Sequence, residues 1–303
     1  MDALAAGLQP LAGGFSGETF LAEAAGERTV VRIYAGRGGA RGPEAPEVDA
    51  AVLRLVRGLV PVPEVLEVRR ADRSAGRPGL LVTTFLPGRR LDLLLPGMPD
   101  RTRATIGSRV GEVLSRLAQM PTLRAGLFLD GDLRISDPPP GGYDLVDWVE
   151  GHLEGTALES WAPGDRDRLL AVADSAQSTL DRVVRTSLVH SDFNPKNLLA
   201  DPETGQVTGV LDWEYARSGS PYDDLGNLLR FERTPAFADA VLASFTAGLP
   251  APPENLLDLA RAGDLWALVD LAARRDQHEV ARRAYDQLLA IARSGDLHAF
   301  APA

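Results

Sequence analysis

Two carboxylates and a carboxamide recur in this chain in an order that suits phosphoryl transfer. The run His190-Ser191-Asp192-Phe193-Asn194-Pro195-Lys196-Asn197 is followed, a short hairpin later, by Leu211-Asp212-Trp213-Glu214. A hydroxyl nucleophile needs an acceptor for its proton, and Asp192 can serve. Mg²⁺ takes hard oxygen ligands, which Asn197 and Asp212 offer. Between them, Leu198–Ala200 and Val207–Leu211 read as short apolar strands joined by the turn Asp201-Pro202-Glu203-Thr204-Gly205. A hairpin with the loop at one end and Asp212 at the other returns all three side chains to one region.

The spacing H-x-D-x-x-x-x-N, with a metal-binding Asp in the slot that Asp-Phe-Gly fills in protein kinases, is that of kinase catalytic loops. With Asp-Trp-Glu in that slot, the chain resembles the aminoglycoside phosphotransferase and choline-kinase-like family. Those enzymes share the two-lobed protein-kinase fold and phosphorylate small molecules. The resemblance implies an α+β chain with a small antiparallel β-rich N-lobe and a large, mainly helical C-lobe. Residues 1–86 would form the nucleotide-binding lobe, with a hinge at about 83–88, and 87–303 the catalytic and substrate-binding lobe.

The elements that must position the motif follow in chain order. Gly13–Phe20 is a Gly-rich turn whose backbone could approach phosphates, through Gly14, Ser16 and Gly17. Strands are expected at 19–24 and 29–34, then a helix over about 47–58. The resemblance puts Arg32 in the slot of the nucleotide-contacting Lys, with Asp49, or else Glu47, as its helical partner. Arg for Lys departs from the family pattern, though the charge is kept; an ordinary surface Arg on a strand is the plain alternative. A strand at 61–68 and the apolar run 80–85 follow. Leu86-Pro87-Gly88 resembles the hinge, where backbone near Thr84 and Leu86 would bond the purine. The run 80–85 also reads as an ordinary buried strand.

Beyond Leu91 the pattern is helical. Apolar residues three or four apart mark helices over 101–119, 143–158 and 165–185, the last with Leu169, Val172, Ala173, Ala176, Leu180, Val183 and Val184 on one stripe. Residues 235–294 read as helical too. Asp224, in Tyr222-Asp223-Asp224-Leu225, is expected to brace the catalytic loop, and His190 to hold the backbone near Asp212.

Composition narrows the function. The chain has 303 residues, 45% hydrophobic, enough for a sizeable core, and no run long enough to span a membrane. It lacks cysteine, which excludes disulfides and thiolate metal sites. No basic signal-peptide region, no zinc spacing, no Walker A sequence and no G-x-S-x-G elbow occurs. A cytoplasmic location is expected. The formal charge of -10 argues against a nucleic-acid partner and suits a cationic substrate, although acidity also serves plain solubility. The one lysine of the chain is Lys196; it either reaches a phosphate oxygen or is an exposed side chain kept by chance.

The expected activity is therefore Mg²⁺-dependent transfer of the γ-phosphate of ATP (or GTP) to an alcohol group of a small molecule. An antibiotic is favoured, an aminoglycoside or another cationic natural product. Residues 130–188, with twelve acidic and five basic residues, support that choice. Asp144, Asp147 and Glu214 are candidate amine contacts, beside the alternative that they are solvated surface. A macrolide or a metabolite such as a sugar, choline or homoserine stays open, as does a non-catalytic nucleotide binder. Neither a membrane partner nor a particular oligomeric state is implied.

Overall fold

The structure is a computed structural model that describes residues 8–11, 18–24, 26–34, 39–72 and 74–301. The N-terminal part is an antiparallel sheet of β1 (Leu8–Pro10), β2 (Glu18–Ala24), β3 (Glu27–Tyr34), β4 (Val65–Arg69) and β5 (Gly79–Thr84). Its strand order is β1-β2-β3-β5-β4. Pairing of Arg32 with Thr19 and Leu81 places Arg32 between two neighbours near the end of the central strand. Helix α1 (Ala45–Val56) follows β3. Pro46 sits in its first turn, where a missing N–H costs nothing, and Glu47 favours the positive end. Val48, Asp49, Val52, Leu53 and Val56 form its buried face, spaced as a helix requires.

The chain leaves β5 through Phe85–Gly88 and enters β6 (Arg89–Arg90). Gly88 has φ +130°, and a Cβ there would lie 2.3 Å from Thr208 Oγ1. Only glycine allows this crossing to lie flat on the hairpin. That hairpin is the expected one: β10 (Leu198–Ala200) pairs with β11 (Val207–Val210) and with β6. A further antiparallel sheet has the order β7-β9-β12-β8, from Pro121–Thr122 (β7), Gly126–Leu127 (β8), Thr186–Val189 (β9) and Arg217–Gly219 (β12).

After a single helical turn at Leu91–Leu94, the longer helices are α2 (Asp100–Ala118), α3 (Leu145–Leu153), α4 (Pro163–Leu180), α5 (Asp223–Leu228), α6 (Pro235–Gly248), α7 (Leu256–Ala273) and α8 (Glu279–Ser294). Among the described residues no helix is long and apolar enough to cross a membrane. α2 and α6 pack at close range because Gly107 and Gly111 leave no Cβ to collide with the carbonyls of Phe237 and Val241. One apolar cluster joins α1, α2, α6 and the hairpin; a second joins α3, α4, α7 and α8.

Two expected spans change. The helix expected to run to Arg185 ends at Leu180, and Val184 is 95% exposed. Thr186–Val189 is drawn into the sheet between β7 and β12, where its backbone groups find partners on both sides. The helix expected over 143–158 begins only after Asp144, which caps it by accepting from the amides of Val146 and Asp147. It ends at Leu153, before Gly155 at φ +68°.

Candidate active site

Residues 190–197 connect β9 to β10. Phe193 anchors the segment in the core at 0% exposure, a burial that contributes about 1.5–3 kcal/mol. The imidazole of His190 meets Phe193 edge-on, at 5.8 Å between centroids, and lies 4.5 Å from Trp213. Its Nδ1 accepts from the Asp192 amide at 3.2 Å, so Nε2 is the protonated nitrogen and donates to the Leu211 carbonyl at 2.8 Å. The expected bracing of the backbone next to Asp212 is present. So is the expected role of Asp224, whose carboxylate accepts from the amides of His190 (2.7 Å) and Ser191 (2.8 Å). Burial pushes the Asp224 carboxyl up, while the hydrogen bonds from these two amides favour its charge.

Asp192 is held from three sides. Asn194 Nδ2 donates to Oδ1 at 2.7 Å, Asn197 Nδ2 donates to Oδ2 at 2.8 Å, and Lys196 Nζ lies 3.2 Å from Oδ2. Lys196 thus meets the candidate base, where a phosphate contact was one of the expectations. Asn194, to which the sequence motif assigns no role, thereby joins the residues that fix Asp192.

Asp212 adopts the left-handed conformation at φ +64°, and Ser191 does so at φ +67°. Non-glycine residues in such conformations store about 1–3 kcal/mol each and gather at active sites. Asn197 commits its Nδ2 to Asp192, which leaves its carbonyl oxygen as an acceptor. Together with the Asp212 carboxylate, this gives two oxygen donors of the kind Mg²⁺ takes, its other positions being filled by water and phosphate. Among the described residues no cluster of three or more His, Cys, Asp or Glu could enclose a metal by itself. The donor set suits a shared metal–nucleotide complex.

Arg32 reaches this centre from β3. Its Nη1 donates to Asp212 Oδ1 at 3.1 Å and its Nη2 to Glu214. The partners expected for it were Asp49 or Glu47. Asp49 instead accepts from Tyr34 and Arg41, and Glu47 lies against Arg70 at 2.9 Å. Burial works against the Arg32 charge, but Tyr34, Asp212 and Glu214 outweigh it and raise its pKa. Glu214, considered as a substrate contact, is correspondingly placed on Arg32. Thr84 exchanges hydrogen bonds with Glu64, and Leu86 packs on Gly209 of the hairpin. Gly14, Ser16 and Gly17 lie outside the described residues.

Beside Ser191 and Tyr215 opens a cavity of about 1200 Å³. Of its seven carboxylates, Asp137, Asp223, Asp264 and Asp270 each pair with an arginine. Asp144, Asp147 and Asp181 have no such pair among the described residues. They share one wall, at the start of α3 and the end of α4. Gln177 joins these elements by accepting from the Leu145 amide (2.9 Å) and donating to Asp181 (2.6 Å). Trp148 and Trp266 stand beside it, 5.5 Å apart. Asp181 and Arg41 carried no periodic or motif signal by which the sequence could have marked them.

The phosphotransferase enzyme family model matches residues 7–256. The aminoglycoside 3'-phosphotransferase of Streptomyces ribosidificus is 27% identical over 63% of this chain and 68% of its own length. Acyl-CoA dehydrogenase family member 10 of Mus musculus is 30% identical over 55% of this chain but only 15% of its own length. Among solved structures, an apo thermostable mutant of aminoglycoside phosphotransferase APH(4)-Ia superposes with a TM-score of 0.68 at 21% identity, covering 95% of this chain and 94% of that one. A ternary complex of such a mutant with AMP-PNP and hygromycin B gives 0.67 at 20% identity, covering 95% and 94%. The chain carries a protein-kinase-like fold and belongs to the phosphotransferase enzyme family.

Proposed function

We propose that this protein is a small-molecule kinase that transfers the γ-phosphate of ATP or GTP to a hydroxyl of a cationic natural product, an aminoglycoside being the first candidate. The observation that carries the reading is the convergence of Asp192, Asn197 and Asp212 through the catalytic loop and the β10–β11 hairpin, next to Ser191 and Tyr215, which line a cavity with three carboxylates that have no arginine pair among the described residues. Asp192 orients the acceptor hydroxyl and takes its proton, with Asn194, Asn197 and Lys196 fixing the carboxylate. Asn197 and Asp212 are the residues that would hold Mg²⁺, which when bound neutralises phosphate charge. Arg32 lies where it can turn from Asp212 toward phosphate oxygens. The wall of Asp144, Asp147 and Asp181 attracts amines, and Trp148 and Trp266 supply flat apolar surface. Most of the acceleration in such a site comes from positioning and charge stabilisation. The nucleotide and aminoglycoside bound in the APH(4)-Ia complex agree with this reading.

The test is nucleoside-diphosphate release with Mg²⁺ and ATP or GTP over a panel of aminoglycosides, macrolides, choline, homoserine and sugars. Release that requires a polyamine acceptor and disappears in Asp212→Ala supports the proposal. Nucleotide binding with no acceptor-stimulated release would reduce the protein to a binder.

A further inference from the structure

The link expected between a β3 cation and a carboxylate of α1 is made here by a different cation. Asp49 is 3% exposed and accepts from Tyr34 Oη at 2.6 Å and from Arg41 Nη1 at 2.7 Å. Arg41 lies in the turn 39–44 just before α1. Its Nη2 donates to the carbonyl of Ala216, two residues beyond Glu214. One guanidinium therefore ties the first turns of α1 to the segment that carries Asp212. Arg32 meanwhile spans Asp212 and Glu214. Two arginines divide a task that the family pattern gives to one lysine. A forked, planar cation can hold a carboxylate and a carbonyl at once, which a single ammonium does poorly.

The division has an electrostatic consequence. A buried carboxylate without a partner is costly and attracts the nearest cation. For Asp49 that cation, after Arg41, is Arg32, whose guanidinium lies 5.3 Å from the ring of Tyr34, the residue that donates to Asp49.

We infer that Arg41 is a positioning residue for the nucleotide side of the site: by neutralising Asp49 and clamping the Ala216 carbonyl, it keeps Arg32 off Asp49 and on the side of Asp212 and Glu214, from which it can turn to phosphate oxygens. The inference rests on the kinase reading above.

The experiment measures the Kd of a fluorescent ATP analogue with Mg²⁺ and no acceptor, together with nucleotide and acceptor KM, in wild type, R41Q, D49N and R41Q/D49N. Thermal melting accompanies each variant. R41Q is expected to weaken nucleotide binding roughly tenfold, the size of a lost charge-assisted contact, while acceptor KM stays within about twofold. R41Q/D49N is expected to recover most of that affinity, because no carboxylate remains to draw Arg32 away. A role in stability alone would leave the double variant as weak as R41Q, or weaker, and would overturn the inference. Wild-type nucleotide affinity in R41Q would overturn it too. Where R41Q fails to fold, R41K serves: it keeps a cation beside Asp49, so nucleotide affinity within about threefold of wild type is expected, and a roughly tenfold loss at unchanged acceptor KM overturns the inference. Absence of nucleotide binding by the wild type would remove the kinase reading and this inference together, whereas equal binding by wild type and R41Q removes the inference alone.

Discussion

His190 touches the backbone on both sides of the site, accepting from the Asp192 amide through Nδ1 and donating to the Leu211 carbonyl through Nε2. A fully buried ring, wedged between Phe193 and Trp213, thereby sets the distance between the candidate base and the candidate metal ligand. Its role is architectural, and its removal is felt at both ends.

His190→Ala is therefore expected to lose the packing of a buried ring and two hydrogen bonds, about 2–4 kcal/mol of stability. Turnover should fall by about 100-fold, the scale of a displacement near 1 Å at the reacting groups. Chemical denaturation and kcat measured on one preparation check both. A variant with normal stability and normal kcat would show that the loop keeps its geometry without the ring.

Asp192→Asn isolates the base. The amide keeps the shape but cannot take a proton, and its NH2 would face one of the donors from which the Asp192 carboxylate now accepts. A drop in kcat of about 10²–10⁴ is expected, with nucleotide KM changed by less than about threefold. Steady-state kinetics at saturating acceptor measure this. Equal losses in kcat and in nucleotide affinity would mean that Asp192 serves binding more than proton transfer.

Much of this site could be read from the sequence because its residues lie within one short segment and one hairpin. Asp192, Asn197 and Asp212 are brought together by β10 and β11, a local pairing announced by two apolar runs and an Asp-Pro-Glu-Thr-Gly turn. Asp224 was legible as a brace because a buried carboxylate needs donors, and two amides of the loop provide them. What escaped depends on contacts between distant segments. The exchange of partners between Arg32 and Arg41 is decided by where Ala216 falls relative to the turn before α1, which no local pattern encodes. The end of α4 was missed for a similar reason: Val183 and Val184 continue a helical stripe, but pairing of β9 with β7 and β12 overrides it.

The acidic wall of the cavity gives a prediction about the acceptor. Asp147 is exposed and has no arginine pair among the described residues. Asp147→Asn is expected to raise the KM of a polyamine acceptor about two- to fivefold, the value of one exposed ion pair, and to leave nucleotide KM unchanged. Added salt should raise the wild-type acceptor KM more steeply than that of the variant, because screening acts on the contact the variant lacks. The two KM values, measured across a salt series, decide the matter. Insensitivity of the wild type to salt would speak for an uncharged acceptor.

A last prediction concerns how the helical part of the chain responds to acid. Asp165, in the first turn of α4, accepts from Arg293 of α8 at 3.0 Å and from Arg168 at 2.6 Å. The Arg293 hydrogen bonds, with the charge of Arg168, hold this carboxyl below the usual carboxylate range. A folded pKa below the unfolded value means that the unfolded chain binds the proton more readily. The stability from this pair is then fully present above about pH 4 and is lost as pH falls through the depressed folded pKa. Asp165→Asn removes it at every pH. Melting temperatures should therefore separate wild type from Asp165→Asn at neutral pH, with wild type higher. The two curves should converge as the pH drops below about 4, where wild type becomes protonated like its variant. Because Arg293 is largely exposed, the neutral-pH gap should also shrink in high salt. A gap that stays constant from neutral to strongly acid pH would assign the effect of the substitution to the amide side chain itself and not to the charge that links α4 to α8.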